Sequence, residues 1–251
     1  MAEPREIIAE LEKAPSVPSG AGERFSGYGV MSSPFVSGHN LCLRRFPASS
    51  VGPAYTSVWH RDPERAWTFF QDSPPAQSCP RYFSSALARI LVRDIDIEWT
   101  GPLAFSVTIS GGEELKWQVT LGETPSTRLM NLVSSLVPGK LWHSPAFLKL
   151  MGGVARVTLG AGKLALAGNA PNGQSYVANP RLVWLISSSQ AVLNGNDLGP
   201  LGRAVPQARL GDFWIPQRGL FAIGQAFFDL FDPSRHHTLP TEAAPGNESR
   251  V

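Results

Sequence analysis

Between Tyr55 and Leu121 apolar and polar residues alternate with a repeat of two, the spacing of half-buried strands. The last hairpin shows it most clearly. Leu103, Phe105, Val107 and Ile109 share one face, Gly111-Gly112 turns the chain, and Leu115, Trp117, Val119 and Leu121 share a face again. Ser106, Thr108, Lys116, Gln118 and Thr120 point the other way. This division predicts antiparallel strands with one wet face. Strands are expected over 40–46, 55–61, 66–71, 89–99, 103–109 and 115–121.

The period then changes. Thr124 precedes Pro125, a cap residue followed by proline at the first helical position. Leu129, Met130, Leu132, Val133, Leu136 and Val137 follow at helical spacing as far as Pro138-Gly139. Ser144-Pro145 repeats the start signal, with Phe147, Leu148, Leu150 and Met151 behind it and Gly152-Gly153 at the expected stop. A helical insertion over 124–153 thus interrupts the sheet. Strands resume over 163–168, 175–178, 182–187 and 190–193, with Asn172-Gly173 as a strong hairpin signal. The apolar run 219–228 satisfies both periods. Helical and strand patterns do not alternate regularly, which argues against a parallel βαβ fold. The expected fold is mainly β, an antiparallel β-barrel or strongly curved sheet with a short helical insertion.

At the start, residues 4–13 fit a short helix with Ile7, Ile8 and Leu11 on one stripe, and 14–22 have linker chemistry. The expected organisation is a flexible segment over 1–24, one β-rich domain over 25–232, and a disordered tail over 233–251. His236-His237 falls in that tail, a poor place for a metal.

Composition narrows the classes. Hydrophobic residues make up 43% of 251, enough for a sizeable core, and charged residues only 17%, below the usual quarter. The net charge of +2 comes without a Lys/Arg cluster, so no nucleic-acid partner is expected. Cys42 and Cys79 read as inert thiols rather than a disulfide scaffold. No basic segment followed by an apolar run opens the chain, and no run approaches the ~18 residues of a membrane span. The expected compartment is the cytoplasm.

Candidate chemistry gathers in the aromatic segment from Tyr55 to Phe70. Tyr55 and Trp59 fall on one face, and Trp67 and Phe69 can lie across from them after the turn at 62–65, flooring a pocket for an apolar ligand. His60, beside that turn, is placed either to move a proton on a ligand or to donate to Asp62. Asp212 and Arg218 sit among bulky apolar residues, where an unpaired charge is costly. Either they pair, with each other or elsewhere, or Asp212 faces a cavity as a second proton-transfer group. Arg44 and Arg45 suit a carboxylate or phosphate, but opposite faces of one strand cannot grip the same group. Asp94, Asp96 and Glu98 share a face that fits a hard cation or a solvated sheet surface with Lys116 as counter-charge. Gly160-Ala161-Gly162-Lys163 lacks the spacing of a phosphate loop, and there is no dinucleotide fingerprint, zinc-protease motif or nucleophile elbow. No metal and no cofactor are expected.

The succession Trp59-His60-Arg61-Asp62-Pro63, Trp67-Thr68-Phe69-Phe70 and the meander to Leu121 resembles, over residues 38–195, the lipocalin-like proteins grouped with hydroxyneurosporene synthase (carotenoid hydratase). The resemblance implies a β-barrel, and some members act as cofactor-free cyclases on polyketides. It carries over no catalytic residue, and the insertion at 124–153 departs from a plain barrel.

The functional expectation is a small hydrophobic metabolite held in an apolar barrel interior. It would be carried there, or turned over by a cofactor-independent isomerisation, hydration or cyclisation in which His60 or Asp212 moves a proton. The rival expectation is a non-catalytic interaction protein that docks a partner through an aromatic surface. An enclosed cavity of roughly 300–1,000 Å³ favours the first. A filled barrel beside an exposed aromatic patch favours the second.

Overall fold

A computed structural model describes residues 3–237. Helix α1 (Pro4–Lys13) precedes strands β1 (Glu23–Pro34), β2 (Asn40–Ser49), β3 (Tyr55–Arg61) and β4 (Trp67–Gln71). The short α2 (Pro80–Phe83) leads to β5 (Arg89–Val92), β6 (Asp94–Trp99), β7 (Ala104–Ser110) and β8 (Leu115–Gly122). The helical pair α3 (Pro125–Leu136) and α4 (Pro145–Leu159) follows. The chain returns to β9 (Ala167–Asn169), β10 (Ser175–Leu193), β11 (Asn196–Asp197), β12 (Arg209–Leu210), β13 (Phe213–Trp214) and β14 (Leu220–Phe228).

One large sheet runs β5-β4-β3-β2-β1-β14-β10-β8-β7-β6, with β9 and β11 added along β10. Its pairs are antiparallel except β4 with β5. The expected barrel does not close, because the sheet's edges, β5 and β6, are not hydrogen-bonded to each other. Arg93 alone separates them in the chain. One residue is too short for either a hairpin or a crossover, so the run 89–99, which reads as one strand, instead carries the chain from one edge to the other.

The curl is nevertheless tight enough to give both edges a common core. Val58 and Phe70 near one edge and Phe105, Val107 and Ile109 near the other belong to one buried cluster with Trp117, Trp184 and Phe221. Ile8 of α1 is buried in the same cluster. The middle of the interior in which a barrel ligand was expected is therefore filled by side chains, and a space remains beside α1 between the two edges.

The wet outer face expected along the strands holds for β6, β7 and β8, where burial alternates residue by residue. It fails on β1 to β4 and on much of β10 and β14, because other elements cover that face. Cys42, Tyr55, Trp59 and Phe69 make a second core there with α2 and the β12–β13 hairpin. Val183, Leu185, Leu220 and Ala222 make a third with α4.

Strand β1, in the middle of the sheet, has no clear alternation in sequence. A side chain on Gly29 would put Cβ 1.9 Å from the Leu43 carbonyl oxygen, and one on Gly27 2.0 Å from that of Arg45. Glycine is required by the close approach of β2 and erases the pattern that marks a strand. Helix α4 runs past the expected stop at Gly152-Gly153 and ends at Gly160, whose φ of 61° is a left-handed terminus. Gly152 is there for packing: its Cβ would lie 2.7 Å from the Leu164 carbonyl oxygen.

A candidate binding chamber between the sheet and the helical pair

The cavity lies on the outer face of β1, β14 and β10, roofed by α3, α4 and the 164–166 segment. Its volume is about 170 Å³. Small residues make the room: Gly27 pairs with Gly224, which pairs with Pro180, and Ala178, Ala222 and Ala226 flank them. A second chamber of about 60 Å³ adjoins it, bounded by Tyr55, Trp59, Tyr82, Phe83 and Phe228. Arg44, Phe46, Phe213, Ala178 and Ala226 line both.

Arg44 is the charged group at this junction. Strand parity places it with Cys42 and Phe46 on the covered face, and it is only 5% exposed. Nη1 donates to the carbonyl oxygens of Val30 at 2.5 Å and Leu43 at 2.8 Å. The guanidinium lies 4.5 Å from the centre of the Trp59 ring and 5.9 Å from that of Phe213. Nη2 is buried without a hydrogen-bond partner. Burial pushes the Arg44 pKa down, but a guanidinium keeps its proton in proteins. Among the described residues the carboxylates that form ion pairs do so with other cations, and none with Arg44. Arg44 is thus a buried cation with carbonyl and ring contacts but no ion-pair partner among the described residues.

Three more polar atoms of the larger chamber's lining are buried without a partner: Ser134 Oγ, Trp142 Nε1 and Asn179 Oδ1. Ser134 is turned inward because α3 is folded with its polar stripe against the sheet. Between the parts of β10 that pair with β9 and with β8, its backbone has one open side. Asn131 fills it as a strand would, donating from Nδ2 to the Val183 carbonyl at 3.0 Å and accepting from the Val183 amide at 2.8 Å.

A larger and more polar space of about 410 Å³ lies beside α1. Its half-buried charges Arg45 and Glu12 are matched to each other: Arg45 makes a bidentate pair with Glu12 at 2.9 Å, and Glu12 also accepts from Tyr28. We therefore place the site at Arg44.

The residues expected from sequence are dispersed by the fold. Tyr55 and Trp59 line the smaller chamber. Phe69 and Trp67 lie behind them, Phe69 stacked on Trp59 at 4.4 Å and Trp67 edge-on to Phe69 at 6.3 Å. His60, on the opposite face of β3 from Trp59, lines neither chamber; its Nε2 is 2.8 Å from His39 Nδ1. Burial first, then His39, pushes its pKa down to about 4, against the pull of Asp62. Asp212 is exposed, lines neither chamber, and accepts from the Asn169 amide at 3.0 Å. It does not pair with Arg218, whose Nη1 reaches the Leu159 carbonyl. The aromatic docking surface is also absent among the described residues: the large exposed apolar side chains are Leu and Val. Cys42 and Cys79 are buried free thiols. His236 is buried, and its Nδ1 accepts from the Asp232 amide at 2.9 Å; residues 238–251 of the expected tail lie outside the described residues. The described residues hold no cluster of three or more potential metal ligands.

Sequence reasoning weighed Arg44 together with Arg45 and so missed it. The available signal was parity, which sets Arg44 in a row with Cys42 and Phe46 while Leu41 and Leu43 fill the other face. Ser134, Trp142 and Asn179 give no such signal, since three separate elements bring them together.

No family model matches the chain, and no curated protein matches it. Among solved structures it is similar to an acetoacetate decarboxylase from Legionella pneumophila, at 12% identity, over 93% of this chain and 95% of that one, with a TM-score of 0.40. A second acetoacetate decarboxylase structure aligns at 12% identity over 90% and 92%, with a TM-score of 0.41.

Proposed function

We propose that this protein binds a small, mainly apolar organic anion, with its carboxylate or equivalent group on Arg44 and its body in the larger chamber. The observation that carries the reading is Arg44 Nη2, a buried cationic donor without a partner on a cavity wall. A lone buried charge costs several kcal/mol, and a bound anion in bidentate geometry offsets that cost. Ser134 and Trp142 supply further donors, and Asn179 Oδ1 accepts from a ligand hydroxyl or N–H. A chamber of about 170 Å³ is below the usual ~300–1,000 Å³ of ligand sites and comparable to cavities that hold one benzene. The ligand body is therefore about the size of one aromatic ring or a short branched chain.

The larger chamber's lining holds no His, Asp, Glu, Lys or Cys. Binding and orientation are thus better supported than proton transfer, and His60 and Asp212 have no part in this reading. The test is calorimetric titration with aryl and branched aliphatic monocarboxylates against their primary amides. The carboxylates should bind the wild type and the amides at least tenfold more weakly. Arg44→Met should remove the difference. Equal binding of acid and amide by the wild type would overturn the role of Arg44.

A further inference from the structure

The outward face of the helical pair is apolar where a surface helix should be polar. On α3 the buried residues are Thr127, Asn131 and Ser134, while Leu129, Leu132 and Leu136 are 60%, 56% and 74% exposed. The helix is inside out relative to an ordinary amphipathic one. The polar stripe is committed inward by the open side of β10, so the apolar stripe has no place in the core. Helix α4 is apolar on both sides: Leu148, Met151, Ala155 and Leu159 are buried, yet Leu150 and Val157 are 62% and 82% exposed. Of the chain's exposed large apolar side chains, those of Leu129, Leu132, Val133, Leu136, Leu141, Leu150, Val154 and Val157 all fall within this one segment.

Charge identifies what covers this face. From Thr124 to Asn196 the sequence has six basic residues and no acidic one. Lys149 and Arg156 are exposed on α4 itself and form none of the ion pairs found among the described residues. Arg128 is paired only to Glu123, just before α3. A second copy docked by a twofold axis would set this basic face against itself. Residues 238–251 include two glutamates and few large apolar side chains, too few to cover two helices. An anionic surface that also accepts Leu and Val side chains fits both features.

We propose that α3 and α4 form an in-plane docking face for the surface of an anionic lipid bilayer. At 12 and 15 residues these helices are about 18 and 22 Å long, short of the ~30 Å hydrocarbon core. They lie in the interface rather than cross it, with leucine and valine in the acyl boundary and Lys149 and Arg156 at the headgroups. The inner sides of the same helices roof the Arg44 chamber, so docking sets that roof against lipid. That last link rests on the ligand-binding reading; the docking does not.

Flotation of the full chain with vesicles tests it, using phosphatidylcholine alone or with about one-third phosphatidylserine. The wild type should float with the anionic vesicles and at least tenfold less with the neutral ones. Lys149→Glu and Arg156→Glu should each lower partitioning about fivefold or more. Leu136→Glu with Val157→Glu should abolish it, while Val205→Glu, at another exposed apolar position, should leave it unchanged. Carboxylate titration of these variants separates the two proposals: lost flotation with unchanged ligand binding is the expected pattern. Absence of flotation by the wild type overturns docking, and so does equal loss with Val205→Glu. A wild-type dimer that Leu136→Glu and Val157→Glu disperse overturns it in favour of a second copy.

Discussion

A guanidinium in the row of Cys42 and Phe46 meets carbonyl oxygens and ring faces but no anion. An apolar side chain of similar length removes the desolvation cost. Arg44→Met should therefore leave the unliganded protein at least as stable as the wild type, within about 1 kcal/mol, while the acid-over-amide preference disappears. Denaturant midpoints measured without ligand check this; a loss of several kcal/mol would mean that Arg44 is structural. His60 makes a second case. Its folded pKa of about 4 lies below the ~6.5 of an unfolded histidine. Between those values the unfolded chain binds a proton that the folded chain refuses. The contribution is complete above about pH 6.5 and is lost as pH falls toward 4, by up to about 1.4 kcal/mol per pH unit. His39, also held below its ordinary value first by burial, adds to the same slope. His60→Gln should flatten stability between pH 7 and pH 5, as urea melts at the two pH values will show.

Adjacent glycines in α4 separate helix propensity from packing. Gly153 has open space where a Cβ would go, so Gly153→Ala should stabilise the helix by about 1 kcal/mol. Gly152 abuts the backbone of Leu164, so Gly152→Ala should destabilise by more than that propensity gain. Thermal melts of the two variants should move in opposite directions. The elements themselves show where sequence patterns succeed. Pro4–Lys13, Tyr55–Arg61 and the start of α3 at Pro125 match their expected positions, because proline and period act locally. Thr124 Oγ1 accepts from the Thr127 amide as its cap position requires. The pattern falls short at β10, where three expected pieces form one strand through Pro180. Its register with β14 shifts between Pro180 and Leu182, and proline is tolerated at such an irregularity.

At the scale of the molecule, the inner face of the curl is core and the outer face carries the chamber, so mutations on the two should differ in kind. Phe221→Ala, in the filled interior, should cost about 3 to 5 kcal/mol and impair ligand binding only through unfolding. Ala222→Leu, one residue on and on the chamber wall, should weaken binding out of proportion to any change in melting temperature. Trp67→Ala belongs with Phe221→Ala, since Trp67 is buried and lines neither chamber. The sequence alone determined that the chain is mainly β, where most strands lie, and where the helical pair begins, because the period of two and the Thr-Pro and Ser-Pro starts are local signals. Open or closed, the sheet is decided by which edges meet, and Arg93 joins β5 to β6 without pairing them. The site depends on the tertiary structure still more. Alternation along Asn40–Ser49 shows which side chains share a face, but not that α2 and the β12–β13 hairpin cover it. That cover makes Arg44 a buried cation, and the fold sets Ser134, Trp142 and Asn179 around one cavity.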